Sequence, residues 1–509
     1  MRKHYLLLLL FLPILSCKDI DSLDDLSPNQ ENIITTGADV QNTLAQAYAD
    51  WWKAIHGPYP NLALLVAGDA YGLSRGDFAT IEIGMQPRPS FDNRLSAKES
   101  LQQVNEVPWY GTLRAVAAAN DVLNALDSGI GIDKGGAQDQ SIRAAAHLLR
   151  GLSWGYVSLI FDKGIKMTET TNLEEALSFI NYSDMNASAL GELETAILLA
   201  EGIGSDFVHE YFNGVSLDQT QFIQLSHAYA ARFLAQVPRT VEESNSVNWE
   251  AVFFHAERGI DFDFAPKTDA KDWQSYHQYV FAETGKGPFW ARVDQRIVAL
   301  FDPSQPAQYP EVEAQAANPI DPKKAQSNDA RLTSDFQFEE RIFFDVSKGE
   351  WHFSHYQHRR NENDVTFEGD GWRFGQMPVF LKADKDLLQA EAALRIGALE
   401  ESLIILNNGT RQTRGNLAAV SASEIAIIED AIFYERTIEL LGSAPLGLWL
   451  DRRRFAPREA LNNSTALGGL LLGTPAHLPV PSRELQIRDM EIYSFGGAND
   501  PFGIEGVVQ

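Results

Sequence analysis

The side chain with the most distinctive chemistry in this sequence is its only cysteine, Cys17. It follows Ile14, Leu15 and Ser16. An aliphatic residue three positions before a cysteine and a small residue directly before it are typical of a site where the thiol accepts a diacylglycerol. Acyl chains such as palmitate each favour membrane attachment by about 0.8 kcal/mol per buried CH₂, and several anchor a protein stably. An incidental cysteine behind an ordinary secretion signal is the alternative.

The first sixteen residues have the features of a signal peptide. Arg2 and Lys3 form a basic start, and residues 5–15 are almost wholly apolar. That run is too short to span a bilayer, which needs about 20 residues. We therefore expect residues 1–16 to be removed, residues 17–37 to form a lipidated acidic tether, and the lipid to be the only membrane attachment.

Other side chains that could bind a metal ion do not form a clear ligand pattern in the sequence. His352, His355 and His358 are spaced to share a metal on a helix, but their aromatic and basic neighbours favour a loop or strand. Asp261 and Asp263 could bind calcium, although the phenylalanines that alternate with them indicate a short strand. No P-loop and no H-E-x-x-H pattern occurs. We expect no metal, no cofactor and no catalytic residue.

Charge and length restrict the class of protein. Asp and Glu number 69 against 42 Lys and Arg, which gives a formal net charge of −27. Such an acidic excess disfavours nucleic acid and anionic lipid surfaces as partners. The chain has 509 residues, enough for one large domain or two closely packed ones.

Hydrophobic periodicity predicts a mostly α-helical protein made of helix pairs. Apolar residues recur at helical spacing in segments 38–56, 99–127, 139–161, 186–201, 218–236, 248–260, 378–397, 399–407 and 421–441. The pairing indicates a tetratricopeptide-like superhelix, although no sharp repeat of about 34 residues is visible. Segment 57–98 has the composition of a long loop. We predict an N-terminal helical part over 38–260, an irregular subdomain with short β strands over 261–376, and a C-terminal helical part with a wrapping tail over 377–509.

Six segments, in order, resemble motifs of the SusD/RagB family of outer-membrane nutrient-binding lipoproteins. They are residues 107–123, 143–156, 381–392, 406–415, 433–455 and 479–485. The resemblance implies an α-rich fold and a place at the cell surface, anchored in the outer membrane by lipid. It also implies a SusC-like, TonB-dependent transporter as partner, with an oligosaccharide or alternatively a peptide as cargo, and no enzymatic activity.

Two other function classes remain open from the sequence. One is a surface glycoside hydrolase or peptidase, because carboxylates are numerous. The other is an envelope scaffold that binds no nutrient. Cleavage of polysaccharide would support the first, and a total lack of glycan and peptide binding would support the second.

Sugars present flat C–H faces and radial hydroxyl groups, so a binding site needs exposed aromatic rings beside polar side chains. Three aromatic clusters in predicted loops are candidates for this role. For each cluster, a place in the core of the subdomain or a contact with the transporter is the alternative. The first comprises Tyr71, Arg75, Asp77, Phe78, Phe91, Asp92 and Asn93. The second comprises Trp273, Tyr276, His277, Tyr279, Phe289 and Trp290. The third comprises Trp351, His352, Tyr356, His358, Arg359 and Trp372.

Two expectations concern the protein interior. Trp51 and Trp52 are adjacent on a predicted helix, so at most one of them should face inward. Glu391 lies among apolar neighbours on a predicted helix, and we expect it to form a charge pair with Arg436 or Arg453.

Overall fold

The computed structural model describes residues 34–73, 76–172, 177–281, 291–308, 323–340, 353–360, 366–368, 372–421 and 423–509. The helices are α1 Gly37–His56, α2 Pro58–Ala67, α3 Thr80–Gly84, α4 Glu99–Asp127, α5 Ala137–Ile160, α6 Tyr182–Ile203, α7 Gln219–Gln236, α8 Val241–Asn245, α9 Trp249–Glu257, α10 His277–Val280, α11 Gln295–Phe301, α12 Arg331–Ser334, α13 Lys382–Arg395, α14 Leu399–Asn408, α15 Thr410–Thr413, α16 Ile425–Glu439, α17 Gly447–Phe455 and α18 Ser482–Ile487. Short 3₁₀ turns lie at Gly204–Asp206 and Leu461–Asn463. The mostly helical fold class is confirmed.

The strands are short. They are β1 Tyr71–Leu73, β2 Lys163–Ile165, β3 Phe179–Asn181, β4 His209–Phe212, β5 Val215–Leu217, β6 Ala291–Val293, β7 Phe336–Phe338, β8 Tyr356–His358, β9 Thr366–Glu368, β10 Trp372–Phe374, β11 Tyr493–Ser494 and β12 Val507–Val508. They form two-stranded antiparallel pairs: β1 with β6, β2 with β3, β4 with β5, β7 with β8, β9 with β10 and β11 with β12. The β1–β6 pair sets Tyr71 opposite Val293. Several of these strands lie in 261–376, as predicted.

Side-chain caps determine where several helices begin. At α1 the Thr36 hydroxyl accepts a hydrogen bond from the Asp39 amide, and the Asp39 carboxylate accepts one from the Thr36 amide at 2.9 Å. Asp218 and Gln221 make the same reciprocal arrangement at α7. Each box satisfies amide groups that the first helical turn leaves without a partner.

Helix α2 is the main element that the sequence analysis missed, because segment 57–98 was predicted to be a loop. Pro58 occupies the first turn of α2, a position where proline costs no hydrogen bond. The buried residues of α2 are Pro60, Asn61, Leu62, Ala63, Leu64, Leu65, Val66 and Ala67. A helix buried on every side carries no amphipathic stripe, so hydrophobic periodicity cannot reveal it.

Successive helices pack as neighbours. Helix α4 lies against α1 and α5, α5 lies along α6, and α6 lies against α7. In the C-terminal half, α13 packs on α14, α16 and α9. These contacts are those of paired helices, as the sequence predicted.

The expectation that only one of Trp51 and Trp52 faces inward is wrong, because both side chains are 0 % exposed. Trp51 lies 6.2 Å from the Tyr156 ring within the helical core. Trp52 stacks on His56 at 4.2 Å and contacts Trp273 at 5.0 Å. The segment that carries Trp273 covers α1 at Trp52, so this helix is buried on two sides near its C-terminal end.

The C-terminal tail packs against the helical body. Leu478, Val480 and Leu485 belong to the same hydrophobic cluster as the helices of the N-terminal half. The Phe91 amide donates a hydrogen bond to the Phe495 carbonyl at 3.0 Å. The tail is therefore part of the core, and the three-part division of the chain stays a prediction.

A buried charge network joins α7, α13, α16 and α17. Glu391 binds Arg454, rather than the predicted Arg436 or Arg453: Arg454 Nη1 and Nη2 donate to its two carboxylate oxygens at 2.7 and 2.9 Å. Arg436 instead pairs with Asp384 and Asp451, at 2.9 Å each. Arg453 donates to backbone carbonyls. Consecutive arginines on a helix point in different directions, so only the packing of α17 decides which of them meets Glu391.

Candidate functional site

Most of the described aromatic candidates are buried, which corrects the expectation that they are exposed. Tyr71 is 1 %, Tyr276 0 %, Tyr356 3 % and Trp273 9 % exposed. Their polar atoms also have internal partners: the Tyr276 hydroxyl donates to the Gly442 carbonyl at 3.3 Å, and the Tyr356 hydroxyl accepts from the Ala325 amide at 2.8 Å. A ring in this situation has no free face for a sugar.

The structure brings parts of the three sequence clusters together in space. The Tyr71 hydroxyl and His358 Nδ1 share a hydrogen bond of 2.8 Å. The His358 ring lies 5.1 Å from Phe281, which stacks at 5.8 Å on His277. This is a buried aromatic network that connects β1, β8 and α10. Phe78 and Tyr279 pack against the hydrophobic cluster that contains Tyr71 and Phe281.

Asn93 and Asp92 have structural partners. Asn93 is 3 % exposed, and its amide group donates to the carbonyls of Val480 and Tyr493 at 3.0 and 2.9 Å. It therefore ties the loop before α4 to the C-terminal tail. Asp92 is partly exposed and accepts two hydrogen bonds of 2.8 Å from Arg94.

Several predicted residues lie outside the part of the chain that the structure describes. They are Cys17, Arg75, Phe289, Trp290, Trp351 and His352. Only the backbone of Trp372 is described, as the first residue of β10. Their proposed roles in lipidation and ligand binding stay predictions.

Aromatic candidates that reach the surface form a small cluster, which we call the aromatic patch: Tyr59, Asp77, Phe78 and Tyr279. The three rings are partly exposed and the Asp77 side chain is exposed. Phe78 lies between the two tyrosines, 5.0 Å from Tyr59 and 4.7 Å from Tyr279, in edge-to-face geometry. Phe78, Asp77 and Tyr279 are candidates from the sequence, whereas Tyr59 is not among them; its place between Pro58 and Pro60 marks a rigid segment.

The backbone that presents Phe78 is unusual. Phe78 and Ala79 have φ angles of 60° and 61°, in the left-handed region that side chains other than glycine rarely adopt. The turn is held by Thr80, whose amide and hydroxyl both donate to the Asp77 carbonyl, at 3.3 and 2.9 Å. Strained residues of this kind are concentrated at ligand sites, because the surrounding structure must hold them in place.

The electrostatics of the patch are acidic. Burial raises the pKa of Tyr59 to about 12, and the negative charges of Asp77, Glu99 and Glu82 together with Tyr279 add to the rise. The Tyr59 hydroxyl is therefore a hydrogen-bond donor at neutral pH. Rings beside carboxylates and a phenolic donor match the needs of an uncharged polyhydroxylated ligand.

The histidines and aspartates that were considered as metal ligands have other hydrogen-bond partners where the structure describes them. His355 Nδ1 shares a hydrogen bond of 2.8 Å with the Glu339 carbonyl, while His358 binds Tyr71. Asp263 accepts the Lys382 amide at 2.8 Å at the start of α13. Among the described residues, no group of three His, Cys, Asp or Glu side chains is placed to hold a metal ion.

One sequence pattern could be mistaken for a hydrolase motif. Residues 151–155 read Gly-Leu-Ser-Trp-Gly, the G-x-S-x-G order of a nucleophilic serine. Ser153 lies in the middle of α5, is 0 % exposed, and donates to the Leu149 carbonyl at 2.8 Å. A nucleophile of this class instead stands on a sharp strand-to-helix turn, so Ser153 is a structural residue.

Within the described ranges, no helix is both long enough and apolar enough to cross a membrane.

No protein-family model matches the chain, and no curated protein sequence does. Solved structures do match. A SusD superfamily protein from Parabacteroides distasonis superposes with a TM-score of 0.62 at 13% identity, over 89% of this chain and 97% of that one. The chain has the SusD-like fold. Surface glycan-binding protein A from Bacteroides uniformis gives a TM-score of 0.60 at 14% identity, over 89% of this chain and 98% of that one. A SusD-like carbohydrate-binding protein from Bacteroides fragilis gives a TM-score of 0.56 at 14% identity, over 82% of this chain and 86% of that one.

These comparisons confirm, at the level of the fold, the resemblance that the six sequence motifs indicated. Because the identities are low, the SusD-like fold alone says nothing about which residues of this chain contact a ligand. That question rests on the chain's own surface, and among the described residues the aromatic patch brings three partly exposed rings together beside an exposed carboxylate.

Proposed function

We propose that this protein binds an oligosaccharide at the cell surface through the aromatic patch of Tyr59, Asp77, Phe78 and Tyr279. The observation that carries the proposal is the Phe78 ring, held at the surface between two tyrosines by left-handed backbone. Aromatic rings offer a sugar an apolar platform, and carboxylate oxygens accept hydrogen bonds from its hydroxyl groups. The glycan-binding solved proteins with the SusD-like fold support the same class of ligand.

The proposal includes the compartment and the partner. A lipid on Cys17 would anchor the protein in the outer membrane, with residues 17–37 as a tether. A SusC-like, TonB-dependent transporter would then receive the oligosaccharide. The support for this part is the N-terminal sequence pattern together with the SusD-like fold.

Binding is tested by isothermal titration of the purified protein against a panel of neutral oligosaccharides. The informative variant is Phe78→Ala. Phe254→Ala is the matched control, because Phe254 is 47% exposed and stands on α9, outside the patch. Loss of one stacking ring, worth about 1 kcal/mol, should weaken binding about fivefold in Phe78→Ala and leave the control unchanged. Circular dichroism checks that both variants are folded.

Two outcomes would overturn the binding proposal: no member of the panel binds the native protein, or Phe78→Ala binds as tightly as the Phe254→Ala control. Release of shorter sugars during the titration would favour the hydrolase alternative.

The anchoring step has its own test. Cells that express the protein are grown with labelled palmitate, and the native chain should carry label while Cys17→Ala should not. Purification of the native protein from solubilised outer membranes should also recover a large barrel protein. An unlabelled native chain would refute the anchor and leave the binding proposal standing.

A further inference from the structure

The short helix α3 follows the turn that presents Phe78, and side chains hold it at both ends. At its start, the Thr80 hydroxyl donates to the Asp77 carbonyl at 2.9 Å. At its end, Arg88 Nη1 donates to the Ile83 carbonyl at 2.6 Å. Thr80 is 2 % exposed and Arg88 is 4 % exposed. A helix of five residues is not stable by itself in water, so its position depends on contacts of this kind.

Arg88 is itself held from the protein interior. Its other terminal nitrogen, Nη2, donates to Asp69 Oδ1 at 2.7 Å, and Asp69 Oδ2 accepts from Arg296 Nη1 at 2.7 Å. Arg296 also pairs with the Glu459 carboxylate at 3.0 Å. The side chains of Arg88, Asp69 and Arg296 are 1%, 0% and 2% exposed. A line of alternating buried charges therefore runs from Glu459 to α3.

The guanidinium group of Arg88 suits this place because it is a rigid planar fork. One nitrogen binds a buried carboxylate that a second arginine also holds, and the other nitrogen binds the backbone of α3. Water is excluded at this depth, so a displaced partner would leave a polar group without a hydrogen bond. Movement of α3 away from Arg88 is therefore unfavourable.

Residues 77–80, which we call the Phe78 turn, need such support. Phe78 and Ala79 both have left-handed φ angles, and residues in that region persist only where the surrounding structure holds them. The bond from the Thr80 hydroxyl to the Asp77 carbonyl spans this strained pair. The Ile83 amide donates to the Ala79 carbonyl at 3.0 Å, which connects the turn to the residue that Arg88 binds.

We propose that Arg88 and Thr80 are positioning residues of the aromatic patch, which hold the Phe78 ring between the two tyrosines before a ligand arrives. This inference rests on the proposed role of the patch in glycan binding. A ring that is already in place loses little conformational freedom on binding, so the affinity is higher than for a ring that must first be ordered. Both residues are buried, so they act through Phe78 and not by touching the ligand.

Hydrogen exchange tests this positioning without a ligand. The peptide that covers residues 77–84 is followed by mass spectrometry in Thr80→Val and in Arg88→Lys. Loss of one net hydrogen bond should make its amides exchange about fivefold faster than in the native chain. Arg88→Lys retains the positive charge beside Asp69, which preserves the charge balance of the interior, but a single ammonium group lacks the two-armed geometry of the guanidinium.

Each variant has a matched control on another element. Thr112→Val removes an equally buried hydroxyl, which donates to the Pro108 carbonyl at 2.7 Å within α4. Arg232→Lys changes a buried arginine of α7 that pairs with Asp384 at 2.6 Å. Both controls should leave the exchange of residues 77–84 at the native rate.

Oligosaccharide binding separates a positioning role from a purely structural one. In isothermal titration, Thr80→Val should weaken binding about fivefold when Phe78 is present. In the Phe78→Ala background the same change should have no effect, because no ring is left to position. A residue that only stabilised the fold would change the affinity equally in both backgrounds.

The proposal is overturned if residues 77–84 exchange at the native rate in either Thr80→Val or Arg88→Lys. It is also overturned if Thr80→Val weakens binding equally with and without the Phe78 ring. If no oligosaccharide binds the native protein, the proposed function fails, and the exchange experiment still decides whether these two side chains hold the Phe78 turn.

Discussion

The buried charge network predicts an unusually costly substitution at Glu391. The network holds three carboxylates and three guanidinium groups, so its charges balance. Its members are Asp384, Glu391, Asp451, Arg232, Arg436 and Arg454. The Glu391 and Arg454 side chains are 1% and 0% exposed, so water cannot replace a lost partner. Glu391→Gln keeps the shape but leaves one positive charge uncompensated in the interior.

Breaking a buried pair by removing one partner costs about 3–5 kcal/mol. Since Gln retains one carbonyl acceptor for Arg454, we expect the lower end of that range. A chain of this length has an unfolding entropy of about 1 kcal/mol/K, so the melting temperature should fall by about 3 °C. The control is Asp386→Asn, whose side chain is 23% exposed and pairs with Lys382; this change should cost less than about 1 kcal/mol.

The assay is urea unfolding followed by tryptophan fluorescence, with thermal unfolding as a second measure. A charge-balanced variant, Glu391→Leu with Arg454→Met, sharpens the test. It leaves two carboxylates facing two guanidinium groups, so it should be more stable than Glu391→Leu alone. The reasoning is refuted if Glu391→Gln is as mild as Asp386→Asn, or if adding Arg454→Met to Glu391→Leu only deepens the loss.

Two further predictions concern packing and pH. In Gly155→Ala the new Cβ would stand 2.1 Å from the Phe233 ring, so the free energy of unfolding should fall by about 1–3 kcal/mol. In Gly191→Ala the new Cβ meets nothing within 4 Å on α6, so the free energy of unfolding should rise by about 0.5–1 kcal/mol. Thermal unfolding measures both variants, and melting temperatures that shift in the same direction would contradict one of the two predictions. Burial lowers the pKa of His358 to about 3 and that of His277 to about 4, below the value of about 6.5 in the unfolded chain. The unfolded state thus binds more protons in acid, and stability should fall as the pH drops from about 6.5 toward 4. A urea midpoint that is unchanged between neutral pH and pH 5 would count against this.

The sequence predicted the amphipathic helices well, because the spacing of their apolar residues indicates which side of each helix is buried. The segments 99–127 and 218–236 became α4 (Glu99–Asp127) and α7 (Gln219–Gln236), with ends within a residue or two. Helix α2 was missed for the opposite reason: it is apolar on every side and has no stripe to detect. Periodicity reports which side of a helix is buried, so it fails where all sides are.

The aromatic candidates show a second limit. Tyr71 and Phe78 stand seven positions apart in one predicted loop, yet Tyr71 is buried and Phe78 is at the surface. Tyr71 is held inside by His358, which lies 287 residues away along the chain. Nothing local distinguishes the two rings, and most of the loop aromatics whose side chains the structure describes are buried rather than exposed.

The sequence by itself determined the helical class, the order of the main helices and the chemistry available at Cys17, because these depend on residue type and short-range spacing. Tertiary structure decided which rings form the surface patch, which arginine meets Glu391, and that Arg88 links Asp69 to α3. Those outcomes depend on which distant segments pack together, and the sequence around each side chain does not indicate which residue it will contact.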